Sequence, residues 1–332
     1  MTNFAEITLD LAFEQYLDGR KDLRHSTVLV YQNTYKHVPE SLGQEKLTNI
    51  KFSDIKALYS DLRYEQHLKP RTIELLNSVL HPIFNTALRD QVINYNPVDG
   101  ALREVARGDA WLKDNKPALS AAEQKRFMKF VRENPQYRRW ENLFTFFLGT
   151  GCRVGEVIGL RWEDIDFDNL TISINHSTQY IEGVLIEGPP KTRAGFRTIP
   201  MLSDVKRALK NEMHVAKVVY PITRTNIPGK KGYVFRNSKG GLHIPATINQ
   251  AIDNIVKAYN KENPSNPLPH FSVHQLRHTF CTRLCEEETN LKVIQSVMGH
   301  SDIKTTMNVY ASVTEEKKAI SFKKLDGKII IG

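Results

Sequence analysis

The spacing of apolar residues constrains this chain most, because it changes from a helical period to a strand period in one short stretch. Through most of the sequence, apolar side chains recur every three or four residues, as on amphipathic helices. Between Leu170 and Met201 they alternate instead, in LTISINHS, QYIEGVLIEG and FRTIPM, with turn residues between the runs. The pattern predicts a mainly α protein with a small antiparallel β-sheet.

A stretch of weak periodicity divides the chain. Residues 106–117 mix charges, show no clear apolar repeat and close with Pro117, which is typical of a linker. We therefore predict a helical domain over residues 1–105 and a second domain over residues 118–313. Residues 314–332 form a predicted tail, whose apolar end KIIIG indicates a short strand that is docked and not left exposed, with its own domain as the simplest docking surface.

Polar residues ahead of apolar runs mark the predicted helix starts. Thr8 precedes LDLAFEQYL, Ser53 precedes DIKALYSDL and Ser120 precedes AAEQKRFMKFVRE. A longer helix is predicted from KPRT to the turn-rich NYNPVDG, with Pro82 as the site of any kink. In the second domain, ENLFTFFLGTG predicts a buried helix broken by its two glycines, and a short helix follows it.

The composition argues against membrane and disulfide-rich classes. No apolar run approaches the ~20 residues of a membrane helix, and the start MTNFAEITLDL lacks the features of a signal peptide. Cys152, Cys281 and Cys285 form no CxxC pair, so we expect them to be small buried side chains in a reducing compartment. The expectation is a cytoplasmic protein with no membrane partner.

The positive charge of the chain favours a polyanionic partner. The net charge is +9, and residues 187–240 carry 12 Lys and Arg against three Asp and Glu. Basic side chains that neutralise phosphates release condensed counterions, so this stretch is the predicted phosphate-facing surface.

Five separated pieces of the second domain carry residues suited to phosphate chemistry: TGCRVGEVIGL, PKTRAGFRTIP, HQLRH, MGH and MNVYA. Guanidinium groups bind phosphate oxygens bidentately, so Arg153 and Arg277 could clamp a phosphate. A phenol is a poor nucleophile at neutral pH, so attack by Tyr310 would require a group that accepts its proton, and His274 or His300 could be that group.

In order and spacing these pieces resemble the signature of the tyrosine recombinase family, and the segment FCTRLCEEETNLKVIQSVMGH is most similar to the integrases of conjugative transposons. The resemblance covers essentially the whole chain after the linker. It implies a helical core-type DNA-binding domain followed by a mixed α+β catalytic domain. It assigns catalysis to a set of side chains: Arg153, Lys191, His274, Arg277, His300 and Tyr310.

The resemblance also implies the reaction and the partners. Tyr310 would form a 3′-phosphotyrosine, Lys191 would protonate the departing 5′ oxygen, and no metal or nucleotide cofactor would be needed; the chain has no GxxxxGK[ST] loop. The partners would be double-stranded DNA at the element ends and the target site, further copies of the chain in a tetramer, and an accessory DNA-bending or excision factor. The tail, residues 314–332, would dock on a neighbouring protomer. The host would be bacterial. Residues predicted to contact DNA are Lys69, Arg71, Arg193, Arg197, Lys230 and Lys231.

Several of the candidate catalytic residues could instead have an ordinary structural role. Arg153 could pair with Glu156 three residues later, although a cation at a helix N-terminus opposes the helix dipole. Lys191 could be a solvated side chain at a turn or a nonspecific phosphate contact. His300 could cap the preceding helix, and Tyr310 could be a packing residue.

The motif HQLRH and the cysteines after it allow a further hypothesis, a zinc site. His274, His278, Cys281 and Cys285 lie on one predicted helix, but they span ~16 Å, too far for one ion. We expect His278 to be structural, with its ring bonded to backbone. Two other protein classes stay open: a catalytically silent DNA-binding protein of the same fold, and a nicking-closing topoisomerase.

Overall fold

The computed structural model describes residues 6–106, 117–219 and 232–311, with side chains in the second range up to residue 216. The chain forms two compact units, Met1–Asn115 and Lys116–Gly332. Most of the predicted linker, the whole predicted tail, Lys230 and Lys231 lie outside the described residues. No described helix is long and apolar enough to cross a membrane.

The first unit is helical in its described part. A short π-helix, Asp61–Glu65, directly follows its fourth α-helix. The helices are α1 (Leu9–Asp18), α2 (His25–Tyr35), α3 (Glu40–Gly43), α4 (Phe52–Ser60), α5 (Pro70–Arg89) and α6 (Ala101–Val105). Their apolar faces bury one core, to which α5 contributes most: Ile73, Leu76, Val79, Leu80, Ile83, Phe84 and Ala87.

The helix starts in this unit were largely predictable. The side chain of Thr8 accepts a hydrogen bond from Leu11 N at 3.3 Å and caps α1, as predicted. The fourth helix begins before Ser53, contrary to the prediction, because the carboxylate of Asp54 accepts from the backbone N–H of Lys51 at 2.8 Å. Pro82 lies inside α5, which continues past it.

The second unit adds eight described helices around short strands. Ser120 caps α7 through a reciprocal hydrogen-bond pair with Glu123, as predicted. The helix predicted to break at its glycines passes through Gly149 and ends at Gly151, which adopts a left-handed φ of +62°. The helices are α7 (Ala121–Glu133), α8 (Glu141–Thr150), α9 (Val154–Gly159), α10 (Ser203–Val219), α11 (Pro245–Glu262), α12 (Val273–Glu287), α13 (Leu291–Met298) and α14 (residues 303–311).

The predicted mainly α fold with a small antiparallel β-component is confirmed, although its strands form two small sheets and not one. One has the order β1-β2-β5 and the other pairs β3 with β4. The chain leaves the first sheet because β3 packs on α9 instead: a Cβ added to Gly155 would lie 2.3 Å from the carbonyl oxygen of Thr178. The strands are β1 (Ile165–Asp166), β2 (Thr171–Ile174), β3 (Ser177–Ile181), β4 (Val184–Gly188) and β5 (Arg197–Pro200).

Candidate functional site

Arg277 joins three segments of the second unit that are far apart in sequence. From α12, its Nη1 donates to the carbonyl of Gly151 at 2.7 Å and its Nη2 donates to the carbonyl of Met298 at 2.6 Å. The residue is 5% exposed. Burial, together with the positive charge of Arg153, lowers the pKa of Arg277 to about 10, so it stays cationic at neutral pH.

Arg153 reaches the same turn from the start of α9. Its Nη2 donates to the carbonyl of Gly299 at 2.7 Å, and its Nη1 donates to Oε1 of Glu156 at 2.8 Å. The side chain is 36% exposed, so part of the guanidinium remains open to solvent. The two arginines therefore bind successive carbonyls at the C-terminal end of α13, where the helix dipole favours cations.

Two histidines complete this cluster. His300 follows Gly299, whose φ of +63° ends α13, and His274 lies one turn before Arg277 on α12. Burial and the charges of Arg277 and Arg153 lower the pKa of His300 to about 4. Partial burial and the charge of Arg277 also lower the pKa of His274. The cluster therefore holds neutral imidazoles beside cationic guanidiniums at pH 7.

The low pKa of His300 gives a test of the site in stability measurements. Between pH 6.5 and about 4 the unfolded chain takes up a proton at His300 and the folded chain does not, so folding stability falls as the pH falls through this window. We expect the loss of unfolding free energy between pH 7 and pH 5 to be smaller in His300→Gln than in the wild type, as measured by urea denaturation. Equal losses in His300→Gln and the wild type would contradict the placement of His300.

Glu156 supplies a buried negative charge within the cluster. It is 2% exposed, and besides Arg153 Nη1 it accepts from the backbone N–H of Arg153 at 2.8 Å. Arg197 donates to both of its carboxylate oxygens, at 3.1 and 2.9 Å. Burial alone would raise the pKa of Glu156, but the hydrogen bonds and charge of Arg197 and Arg153 hold it below its ordinary value.

Arg197 corrects one prediction, since it was expected to contact DNA phosphates. Its side chain is 4% exposed, and besides Glu156 it donates to the carbonyls of Val297 and Gly195 at 2.8 and 3.0 Å. Among the described residues, all five N–H donors of Arg197 have protein partners, the last being Cys152 Sγ at 3.7 Å. This guanidinium is therefore committed to the protein interior, whereas Arg277 uses two of its five donors on described residues. Strand alternation could have shown this, because Arg197 shares a strand face with the buried Ile199.

Lys191 and Arg193 lie in the connection between β4 and β5, and both are exposed. This connection packs against the turn that carries His300: a Cβ added to Gly299 would lie 2.8 Å from the carbonyl oxygen of Ala194. The structure therefore brings the connection that bears Lys191 to the edge of the cluster.

Tyr310 lies on α14 and is partly buried. It packs against an apolar cluster formed by α12 and α13, whose buried members are Cys281, Cys285, Ile294 and Met298. Cys152, Cys281 and Cys285 are buried thiols, as predicted. The buried hydroxyl of Thr306, also on α14, lies 3.0 Å from Nδ1 of His300, so the helix of Tyr310 contacts the cluster directly.

The remaining predicted residues belong to the first unit or have a structural contact. Lys69 and Arg71 are exposed at the start of α5 in the first unit. Among the described residues, the ring of His278 contacts the hydroxyl of Thr282 at 3.3 Å, where a backbone partner was predicted. Within the described ranges, no three His, Cys, Asp or Glu side chains are placed to hold a metal ion.

Taken together, the cluster suits an oxyanion. Arg153 and Arg197 bind one carboxylate, Glu156, and Arg277 adds a third guanidinium near it, so the net charge is positive. The side chain of Arg153 is 36% exposed, and the neutral imidazoles of His274 and His300 belong to the same cluster. Preorganised donors of this kind stabilise the negative charge that develops on a phosphate under attack. The sequence had not indicated the contributions of Arg197 and Thr306.

Comparison with known proteins agrees with this chemistry. Residues 117–317 match the model of the phage integrase family. The chain is 31% identical over 291 residues to the transposase of transposon Tn916 from Enterococcus faecalis, covering 86% of this chain and 69% of that protein. It is 28% identical over 344 residues to a XerC-like tyrosine recombinase of Caldanaerobacter subterraneus subsp. tengcongensis, covering 99% and 85% respectively.

Solved structures show the same similarity. The Tn1549 transposon integrase in complex with transposon right end DNA superposes with a TM-score of 0.84 at 29% identity, covering 96% of this chain and 100% of that one. A lambda integrase dimer bound to a core site gives a TM-score of 0.62 at 18% identity, covering 92% and 95%, and shows the shared fold.

Proposed function

This chain belongs to the phage integrase family and is a tyrosine recombinase of the conjugative-transposon type, and on that premise we propose that Tyr310 is its nucleophile. The observation that carries the proposal is the cluster in which Arg153 and Arg277 bind successive carbonyls beside His300. It forms a positively charged site for a phosphodiester, and the helix of Tyr310 is bonded to it.

The proposed reaction assigns one task to each side chain. The phenolic oxygen of Tyr310 attacks phosphorus, and its proton passes to His274, which is neutral and exposed. Arg153 and Arg277 stabilise the charge on the non-bridging oxygens. The bond from phosphorus to the 5′ oxygen breaks, and Lys191 gives that oxygen a proton. The products are a 3′-phosphotyrosine and a 5′ hydroxyl.

The bond energy stays in the phosphotyrosine, so a 5′ hydroxyl from a second strand can attack it and rejoin the DNA. We propose the ends of the encoding mobile element as substrates, because the similar Tn1549 integrase was solved with transposon right end DNA and with circular intermediate DNA. Assembly as a tetramer, trans docking of residues 314–332 and the accessory factor stay predictions.

A strand-exchange assay tests this proposal against the other protein classes. Two labelled duplexes carrying the joined element ends are expected to give recombinant products and a covalent protein–DNA band on a denaturing gel. A silent DNA-binding protein would give neither. A topoisomerase would relax supercoiled plasmids of any sequence and give no recombinants, and either result would overturn the proposal.

The role of Lys191 can be separated from simple phosphate binding. We expect Lys191→Ala to slow cleavage by about 10²–10⁴-fold while leaving DNA affinity nearly unchanged, because a general acid acts in the transition state. A substrate with sulfur in place of the bridging 5′ oxygen should restore the rate, since a thiolate leaves without a proton. Cleavage of both substrates is followed on denaturing gels at saturating protein.

Arg193, two residues further along the same connection, is the matched comparison. Arg193→Ala should weaken binding and reduce the salt slope of the affinity by about one, and added protein should recover its cleavage. If Lys191→Ala behaves in this way, or if the sulfur substrate does not rescue it, Lys191 is a phosphate contact and not the acid.

A further inference from the structure

The hydroxyl of Thr306 contacts His300, and the reaction proposed above gives this contact no role. Its Oγ1 lies 3.0 Å from Nδ1 of His300, and Thr306 is 0% exposed. The backbone of His300 is also restrained, because its N–H donates to the carbonyl of Gln295 at 3.2 Å and its carbonyl accepts from Gln295 Nε2 at 3.0 Å. The ring and the backbone of His300 are therefore held from different sides.

The partners available to the Thr306 hydroxyl determine which group donates the hydrogen in this contact. In the part of the chain that the structure describes, Nδ1 of His300 is the one partner of the Thr306 hydroxyl. If Nδ1 carried the proton and donated it, the threonine O–H would be a buried donor without an acceptor among the described residues, and an unpaired buried donor is unfavourable. If the hydroxyl donates to an unprotonated Nδ1, its hydrogen is satisfied. The second arrangement is therefore the more stable one.

We propose that Thr306 is a positioning residue that donates its hydroxyl hydrogen to Nδ1 of His300 and so holds the ring in the tautomer with hydrogen on Nε2. Among the described residues Nε2 of His300 has no hydrogen-bond partner, so this N–H is available to a ligand. A neutral imidazole can act as a donor to a phosphate oxygen only through a protonated ring nitrogen. This inference rests on the proposed function and assigns His300 the role of donor.

The burial and surroundings of His300 support this assignment. Burial and the charges of Arg277, Arg153 and Arg197 keep the imidazole neutral at pH 7, so one nitrogen carries hydrogen and the other does not. Without a fixed partner at Nδ1, both tautomers would be populated, and part of the protein would present a lone pair to the phosphate.

The contact also links His300 to the nucleophile. Thr306 and Tyr310 are four residues apart on α14 and so lie on the same face of the helix. A shift of α14 that displaces Tyr310 would therefore break the contact of Thr306 with His300. The placement of α14 and the orientation of the His300 ring therefore depend on the same contact.

Long-range ¹H–¹⁵N NMR spectra of the full chain with ¹⁵N-labelled histidine test the proposal. The nitrogen shifts report the tautomer of each ring, and the signals of His300 are those lost in His300→Gln. We expect wild type and Thr306→Ser to show protonated Nε2 and unprotonated Nδ1. Thr306→Val, which keeps the branched shape without the hydroxyl, should show averaged shifts from both tautomers.

Cleavage should follow the same order. We expect Thr306→Val to cut a nicked element-end duplex about tenfold more slowly at unchanged DNA affinity, and Thr306→Ser to cut at nearly the wild-type rate. Protonated Nδ1 in the wild type would overturn the inference whatever the variants do, and so would a pure Nε2 tautomer in folded Thr306→Val. Either result would leave the wild-type adduct on Tyr310 intact, whereas failure of the wild type to form that adduct would refute the proposed function itself.

Discussion

Replacing Tyr310 with Phe is expected to abolish the covalent protein–DNA adduct completely while leaving DNA binding at its wild-type strength. The substitution removes a single oxygen, and that oxygen is the atom proposed to attack phosphorus. The ring remains to pack on the apolar cluster of α12 and α13, so the fold should be kept. The measurement is a denaturing gel of protein incubated with a nicked element-end duplex, with a mobility shift assay for binding.

An exposed tyrosine of the first unit provides the control. Tyr95 is 52% exposed, and Tyr95→Phe should form the adduct at the wild-type rate. Adduct formation by Tyr310→Phe would mean that another residue is the nucleophile. Loss of DNA binding together with the adduct would show that the substitution damages the fold and would remove the evidence for a chemical role.

Glu156→Ala should cause the largest loss of stability of any single substitution in the site, about 3–5 kcal/mol of unfolding free energy. The carboxylate is 2% exposed and accepts from Arg153 and from both terminal nitrogens of Arg197. Its removal leaves the buried guanidinium of Arg197 without its counter-charge. Urea denaturation followed by tryptophan fluorescence measures the loss.

An exposed carboxylate on the same unit gives the comparison. Glu163 pairs with Arg161 and is 60% exposed, so Glu163→Ala should cost less than about 1 kcal/mol. The double variant Glu156→Leu with Arg197→Met removes both buried charges and should recover much of the stability, because an apolar pair can replace a buried ion pair. Its cleavage should stay low, since Arg153 has lost its support. Equal stability of Glu156→Ala and Glu163→Ala would contradict this account of the buried pair.

Much of this architecture could be predicted because it depends on local patterns. Helices and strands are assigned from residues that are close in sequence. Examples are the apolar period of α5, the cap at Ser120 and the alternation of the strands. The pairing of the strands could not be predicted in the same way. Nothing in QYIEGVLIEG alone shows that its hairpin packs on α9 and forms a separate sheet, since that depends on the contact between Gly155 and Thr178.

The candidate site shows the same limit. The resemblance located Arg153, His274, Arg277 and His300 in sequence. The structure places the two arginines at one turn through backbone carbonyls that no sequence pattern marks. The error over Arg197 arose because a basic residue in a basic stretch was treated as a surface charge. Its buried partner lies 41 residues away in sequence, so composition alone could not reveal it.

Mass spectrometry of the trapped complex tests the central claim most directly. Protein is incubated with a nicked duplex bearing the joined element ends, the covalent product is digested with trypsin and nuclease, and the peptide that carries nucleotide is sequenced. The account predicts a nucleotide linked through its 3′ phosphate to the phenolic oxygen of Tyr310. Attachment to any other residue, or a 5′-phosphate linkage, would contradict it.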